Sequence, residues 1–341
     1  VGSVPLDYAK AGVDLSKHRE MHRVAAEAIA RVAEELGTNI GGLGGFAPYI
    51  RLGDLDLALH VDGVGTKTLV LKELGAPEVA GWDCVAMNVN DLACGGFRVV
   101  AISDYVAMGE PDVELFRRVV SGIASAARHV RAPIVSGETA ILPGLVRGLD
   151  VVCFAVGTRE VRLGGRAEVG DVVVGVESWG LHANGFSLVR KIVEERVGSY
   201  RAVVDGVNLA EELVKPTAIY YDLILEAARL GYITSATHVT GGGWSKARRV
   251  LGGSADMVLE APKPPRIFEV LLLVGEVPVE EAYRVFNMGV GLILTTRSEY
   301  VDPLLKLVES KGFRGYVLGE VVPGRGLVRI EVGWYGRSVE V

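Results

Sequence analysis

The chain has 341 residues, 49% of them hydrophobic, and a formal net charge of −6. That length suits two domains with sizeable cores, and that composition argues against disorder. Lys and Arg are scattered and no apolar run approaches the roughly 20 residues of a membrane helix, so neither nucleic acid nor a bilayer is an expected partner.

Further reading narrows the class. The start, "VGSVPLDYAK", shows no apolar signal core, and the expected setting is the cytoplasm. Cys84, Cys94 and Cys153 fit no zinc spacing and each lies in an apolar stretch, as buried reduced thiols do. Gln is absent, a composition that avoids thermolabile amides.

In chain order, residues 19–36 read as an amphipathic helix, followed by the loop "GTNIGGLGGFAPY". Gly41, Gly42, Gly44 and Gly45 fall in this loop, where backbone amides can wrap a phosphate; a flexible linker is the plainer reading. The spacing is that of neither a P-loop nor a dinucleotide fingerprint. A strand at 56–62 follows, with Leu57, Leu59 and Val61 alternating with Ala58, His60 and Asp62. It ends in Asp62, turns on Gly63 and Gly65, and feeds a helix over Thr66–Leu74 that carries Lys67 in its first turn. Strand, glycine turn and helix N-terminus present N–H groups to an anion. An acid at that mouth repels a phosphate unless a cation lies between them.

The next helix, about 79–95, buries Asn88, Asn90 and Asp91 among apolar neighbours. A carboxylate there needs a partner. Two readings stand: a satisfied structural network, or a magnesium ligand acting with Asp62 beside phosphate oxygens. A strand over "FRVVAISDYVAMG" follows, and Asp112 caps a helix to about His129. "APIVSG" and "LDVVCFAVG" read as strands, and Glu138, followed by Thr139, is either an exposed loop acid or a third acid of the same set. The polar, glycine-bearing segment 158–171 marks a domain boundary.

The second half opens with the strand "DVVVGVES" and the loop "WGLHANG", holding Gly180, His182, Asn184 and Gly185 before a helix over 186–197. Helices follow at 208–214 and 217–230. "THVTGGGWSKARRVL" then repeats the arrangement, with His238, Thr240, Gly241, Gly242 and Gly243 running into a helix. Each histidine is an ordinary loop residue by itself; two in such loops point to one site and to proton transfer near neutral pH. "FNMGVG" (286–291) is a glycine turn before a strand, and the tail over 301–341 reads as a helix and short strands.

The ordered set "AGVD", "GGLGGFA", "DGVGTK", "NDL", "SGETA", "HANGFSLVRK", "KPTAIYY", "THVTGGG" and "FNMGVG" resembles the phosphoribosylformylglycinamidine cyclo-ligase, or AIR synthetase, family from about residue 8 onward. The sequence departs from that pattern at "LSKHRE" after Asp14, at Ser136 in "SGET", and at Ala218. The resemblance implies an α/β plus α+β chain of two domains, 1–165 and 166–341. Its N-terminal sheet would pair across a homodimer into a β-barrel, with a C-terminal α+β domain beside an ATP cleft. It implies ATP-dependent cyclisation of formylglycinamidine ribonucleotide to 5-aminoimidazole ribonucleotide, with ADP and phosphate released.

Relatives in the superfamily, such as thiamine-monophosphate kinase, or a non-catalytic ATP-binding regulator, are the alternatives. Under the family reading Asp62, Asp91 and Glu138 hold Mg²⁺. Lys67 contacts phosphates, with Asn90 and Thr139 nearby, and the 41–47 loop covers the nucleotide. Loops 180–185 and 240–243 bind the substrate phosphate, and His182, then His238, transfers protons.

Overall fold

The computed structural model describes residues 5–163 and 165–341. The N-terminal quoted segment is therefore described only from Pro5 onward. The first half comprises α1 (Leu15–Glu35), β1 (Ile40–Gly41), β2 (Tyr49–Leu52), β3 (Leu55–Gly63), α2 (Lys67–Leu74), α3 (Glu78–Cys94), β4 (Phe97–Met108), α4 (Val113–His129), β5 (Ile134–Ile141) and β6 (Leu149–Arg159). Among the described residues its strands form one sheet in the order β1-β2-β3-β6-β4-β5, antiparallel except for the β4–β5 pair.

Helices α3 and α4 cover one face of this sheet. Gly81 and Gly122 let them approach so closely that a Cβ on either would strike the other helix's backbone. The predicted cap holds: the Asp112 carboxylate accepts from the Leu115 amide at 2.9 Å. The alternation on β3 has an unusual sense. Ala58, His60 and Asp62 point toward α3, while Leu59 and Val61 remain 63% and 54% exposed on the open face, beside Phe154 of β6 at 37%. The larger apolar set of the strand thus faces out.

The second half comprises β7 (Val172–Glu177), α5 (Phe186–Ile192), β8 (Val203–Val204), β9 (Val207–Asn208), α6 (Leu209–Leu213), α7 (Tyr221–Arg229), β10 (Ser235–His238), β11 (Ala255–Glu260), α8 (Arg266–Gly275), α9 (Val279–Val285), β12 (Val290–Thr296), α10 (Val301–Ser310), β13 (Gly315–Pro323), β14 (Val328–Val332) and β15 (Arg337–Glu340). Its main sheet runs β10-β12-β7-β13-β11-β14-β15, with β11 and β14 parallel. The strand β11 and the helices α8 and α9 occupy a stretch to which the sequence reading assigned no element.

Three elements differ from expectation. The helix read over 186–197 ends as α5 and continues as a wider π turn, Val193–Val197, closed by Gly198 at φ 86°. Gly243–Val250 winds as a 3₁₀ helix. The helix read over 217–230 starts only at Tyr221, because the segment before it gives its backbone groups to the first half. The Thr217 and Tyr220 amides donate to Asp83 and Asn90, at 2.6 and 2.7 Å. The Thr217 and Ala218 carbonyls accept from Trp82 and Asn90, at 2.8 and 2.9 Å. A backbone satisfied from outside has no need of helical bonds.

Candidate active site

The site is built where the end of β3 and the helix α3 meet loops of the second half. Asp62 closes β3, its carboxylate accepting from the Gly63 amide at 2.8 Å. Gly65, at φ 66°, turns the chain into α2. Lys67 does not point at the turn's mouth. It is fully buried, with Nζ 2.6 Å from Asp83 Oδ2 and 2.7 Å from the Lys215 carbonyl. Burial pushes its pKa down and Asp83 works against that shift. The mobile phosphate contact expected of Lys67 is therefore corrected: its ammonium pins the 215–220 segment to α2 and α3.

Asp91, on α3, is 4% exposed. Its Oδ1 accepts from His238 Nδ1 at 2.8 Å, and its Oδ2 lies 3.3 Å from His60 Nε2. Burial would raise its pKa, but the hydrogen bonds from His238 and His60 outweigh that and hold it far below the carboxylate range. Of the two readings of this helix, the satisfied network is the one seen, with both Asp91 oxygens facing imidazole nitrogens. His60 was missed; it sits in a strand alternation where a polar residue reads as a surface position. Asn90 is likewise structural, spanning Tyr220, Ala218 and His238.

Asp62 differs from Asp91. Burial first, and then the charge of Asp91, raise its pKa. Across the sheet it aligns with Cys153, then Asp104, then Gly137. Asp104 is a further acid that sequence reading passed over, its pKa also raised by burial. Glu138 pairs with Tyr105, one residue out of that row, so its side chain lies on the open face, away from Asp62. It is exposed and accepts from the Thr139 amide at 2.9 Å; Thr139 is exposed as well. Among the described residues no group of three or more His, Cys, Asp or Glu side chains is placed to hold a metal ion. The trio of Asp62, Asp91 and Glu138 is not assembled within one chain.

The glycine loop is the turn of a short hairpin, with Ile40 paired to Ile50 and Gly41 to Tyr49. Gly41 packs so tightly under the Tyr49 ring that any side chain there would collide with it. Gly42 and Gly44 have φ of 67° and 81°, and the Gly45 amide donates to the Gly42 carbonyl at 3.0 Å. Phe46 then tucks in, with the Arg249 guanidinium 5.2 Å from its ring centre. Lys246, one turn before Arg249, makes no hydrogen bond or ion pair among the described residues and feels the charges of Asp91 and Asp62. Burial lowers its pKa and those acids resist the shift. It too was missed, since "WSKARR" reads as an ordinary basic helix face.

The second-half loops complete the site. His182 is fully buried at φ 58°, a left-handed backbone rare for a non-glycine residue. Its Nε2 accepts from the Trp179 and Ala218 amides at 3.2 and 3.4 Å. That leaves the proton on Nδ1, which is buried without a partner, as are Asn184 Nδ2 and Thr217 Oγ1. Burial, then the charges of His238 and Lys67, push its pKa well below the ordinary value. His182 is thus a neutral group, not a proton shuttle poised near pH 7.

Gly180 and Gly185 have φ of 108° and 75°. Asn287 of "FNMGVG" ties this loop down, accepting from Ser178 Oγ at 3.0 Å and donating to the Gly180 carbonyl at 2.8 Å. Its own carbonyl accepts from Trp244 Nε1 at 2.8 Å, so one turn braces both glycine loops. In the other loop Thr240 is buried, its carbonyl accepting from the Gly243 amide at 2.8 Å. A side chain at Gly241 would come to 3.5 Å from Asn184, and Gly242 has φ 99°. At Gly243 a side chain would strike the Tyr283 carbonyl.

Residues 45–159 match the family described as AIR synthase related protein, N-terminal domain, and residues 168–331 match its C-terminal domain. The phosphoribosylformylglycinamidine cyclo-ligase of Saccharolobus solfataricus is 40% identical, over 94% of this chain and 95% of its own length. That of Pyrococcus furiosus is 36% identical, over 95% and 97%. Among solved structures, the fold is shared with thiamine-monophosphate kinase from Stenotrophomonas maltophilia, at 19% identity and TM-score 0.62, over 89% of this chain and 93% of that one. It is also shared with the hydrogenase maturation protein HypE in complex with ATP, at 18% identity and TM-score 0.62, over 85% of each chain. Relatives of such identity along nearly the whole length show that the chain belongs to the phosphoribosylformylglycinamidine cyclo-ligase family.

Proposed function

We propose that the chain uses ATP to close the imidazole ring of 5-aminoimidazole ribonucleotide from formylglycinamidine ribonucleotide, releasing ADP and phosphate. The observation that carries this reading is that the loop at 180–185 and the segment at 217–220, which α3 holds through Asp83 and Asn90, carry unpaired buried polar atoms on His182, Asn184 and Thr217. Buried polar atoms are ordinarily bonded, and an orphan calls for a polar partner such as a ligand.

In this reading the substrate's ribose phosphate lies against the amides of loops 180–185 and 240–243, and the nucleotide phosphates lie under the glycine turn, near Lys246 and Arg249. Attack of the formyl oxygen on the γ-phosphorus displaces ADP, and loss of the amide N–H proton gives the iminophosphate. The amidine nitrogen then attacks the formyl carbon, the bond from that carbon to the phosphate oxygen breaks, and phosphate leaves as the nitrogen gives up its proton. His182, held neutral with Nδ1–H free, donates a hydrogen bond to substrate instead of exchanging a proton. His238, fully buried against Asp91, does not touch substrate. The close packing of the cleft excludes water from the activated oxygen.

Magnesium fits here only as the partner of the nucleotide. Asp62, pushed up by burial and by Asp91, makes no ion pair among the described residues, and one carboxylate with phosphate oxygens is an ordinary magnesium environment. Asp62 would hold the ion, with Asp91 behind it as a second charge. When bound, the ion offsets charge on the phosphoryl group.

The domains divide near residue 165, and the protein works in the cytoplasm as a homodimer. The open apolar face of the first sheet, with Leu59, Val61 and Phe154, is the interface, closing with its copy into a barrel. Glu138 sits on that face and would serve the partner's side of the assembly. Appearance of 5-aminoimidazole ribonucleotide only when ATP and formylglycinamidine ribonucleotide are both present is the test.

A further inference from the structure

The His182 ring is held on more than one side. Its Nε2 accepts from the Trp179 and Ala218 amides, and its Cε1 edge looks onto Gly291 of β12. A side chain at Gly291 would put its Cβ 2.6 Å from His182 Cε1 and 2.1 Å from the Tyr220 hydroxyl oxygen. Both distances lie far inside van der Waals contact. The ring edge and the hydroxyl therefore share a space that only a glycine leaves open.

The strand makes this gap. In its pairing with β7, Val290 lies opposite Glu177 and Leu292 opposite Val176, so Gly291 is an extra residue, a β-bulge. Bulges bend a strand and re-aim what packs on it. The Gly291 carbonyl accepts from the Val239 amide at 2.9 Å, and β12 is buried along its length, so the backbone there has no room to retreat.

Tyr220 fills the gap from the other side. It is fully buried, and its hydroxyl donates to the Glu177 carbonyl at 2.7 Å. Its ring packs on Phe313 at 5.0 Å and lies 6.1 Å from the His182 ring, tilted by 52°. Its amide donates to Asn90 Oδ1 at 2.7 Å, and its carbonyl accepts from the Ile224 amide at 2.9 Å. Tyr220 is thus fixed at hydroxyl, ring and main chain, whereas His182 Nδ1 has no partner. A group added at residue 291 moves the histidine before it moves the tyrosine.

We propose that Tyr220 and Gly291 are positioning residues for the ring closure: the bare bulge at Gly291 admits the Tyr220 hydroxyl and the His182 edge side by side, and their packing aims the His182 Nδ1 hydrogen at the substrate. Neither residue touches substrate or nucleotide. Their role rests on the reading of His182 as hydrogen-bond donor to the substrate, and it names what sets that donor's direction.

Three variants test the shared space: Gly291→Ala, Tyr220→Phe, and the two combined. Gly291→Ala is expected to lower kcat about 100-fold, the cost of an ångström-scale misplacement, while KM for ATP changes less than about threefold. Tyr220→Phe alone is expected to lower kcat by less than about tenfold. It removes the oxygen that the added methyl meets first and leaves Cζ, at 3.0 Å, as the nearest atom of that ring. The double variant is expected to turn over about tenfold faster than Gly291→Ala, because a phenyl ring freed from Glu177 yields to the methyl in place of the histidine. Ring position is read separately, from the His182 Cε1–H signal of protein with ¹³C-labelled histidine, assigned by its loss in His182→Asn. That signal is expected to shift in Gly291→Ala and to return toward its wild-type place in the double variant.

A kcat within about twofold of wild type in Gly291→Ala overturns the proposal, as does an unshifted His182 signal there. A double variant no faster than Gly291→Ala also overturns it, since a merely structural clash in β12 is not relieved by taking one oxygen from Tyr220. Should Gly291→Ala fail to fold, a folded double variant with the His182 signal near its wild-type place supports the shared space, and a double variant that fails as well overturns it. Should the wild-type protein close no ring, or His182→Asn close it at the wild-type rate, the cyclisation reading of the site fails, and the signals alone judge whether Tyr220 and Gly291 set the histidine.

Discussion

Lys67 Nζ lies 2.6 Å from Asp83 Oδ2, and both side chains are fully buried between α2 and α3. The pair also reaches the second half. Lys67 donates to the Lys215 carbonyl, and Asp83 accepts from the Thr217 amide. The ammonium that follows the glycine turn holds two halves of the chain together.

Lys67→Met is therefore a stability variant. It strands Asp83 as a buried charge with one remaining amide, and breaking such a pair costs about 3–5 kcal/mol. The urea midpoint should fall markedly while the folded fraction keeps its ATP affinity. An unchanged midpoint with lost ATP binding would return Lys67 to the phosphate role.

The contrast between Lys67 and Asp112 shows what a sequence makes visible. Asp112 caps α4 through an amide three residues away, and local spacing suffices to see it. The partners of Lys67 lie 16 and 148 residues away, and only packing brings them in. Glu138 carries the same lesson in a sheet. Its residue type was plain, but it lies within β5 and not in the expected turn, and its face depends on pairing opposite Tyr105, a register that no single strand reveals. Asp62 was readable because an acid closing a strand before a glycine turn is out of place by simple electrostatics. His60 was not, because the polar half of the alternation on β3 points inward and its apolar half outward. That inversion sets the polar residues of β3 beside α3 and leaves its larger apolar ones on the open face.

His182 gives the protein a pH dependence of definite sign. Burial holds its folded pKa well below the ordinary value. An unfolded histidine takes up a proton at about pH 6.5, and the folded one does not. Stability is then lost as pH falls below about 6.5, by up to ~1.4 kcal/mol per pH unit from this group. His182→Asn cannot titrate, so its denaturant midpoint should vary less between about pH 6.5 and pH 5. Parallel curves for the two proteins would mean that His182 protonates in place.

Lys246 should be felt in ATP binding. Lys246→Gln removes an unpaired ammonium beside Asp62 and Asp91, and ATP affinity is expected to weaken about tenfold, the loss of one charge-assisted bond, with little change in melting temperature. A dissociation constant within about twofold of wild type would remove Lys246 from the phosphate site. Hydrogen exchange over residues 42–47 should slow on adding Mg-ATP, as amides of the glycine turn close on phosphate; unchanged exchange would leave the turn a plain hairpin.

The open sheet face predicts a dimer. Light scattering at micromolar concentration should give twice the chain mass, and Leu59→Glu should give the monomer by burying a charge in an apolar seam. A wild-type monomer would leave Leu59, Val61 and Phe154 without a covering surface and refute the barrel.

Asp91→Asn probes the network from its centre. Asparagine keeps one acceptor oxygen where Asp91 has two, so one of the contacts to His238 and His60 is lost inside a buried pocket. A melting temperature below wild type in EDTA is expected, together with loss of turnover. A variant as stable as wild type without metal, and inactive only with it, would make Asp91 a metal ligand after all.

The central claim is ring closure, and one assay reaches it directly. The protein is incubated with Mg-ATP and formylglycinamidine ribonucleotide, and 5-aminoimidazole ribonucleotide and ADP are followed together. Equimolar formation of the two, with no ADP when the ribonucleotide is omitted, is the predicted result. ADP release without it, or phosphorylation of thiamine monophosphate with no aminoimidazole formed, would contradict the account.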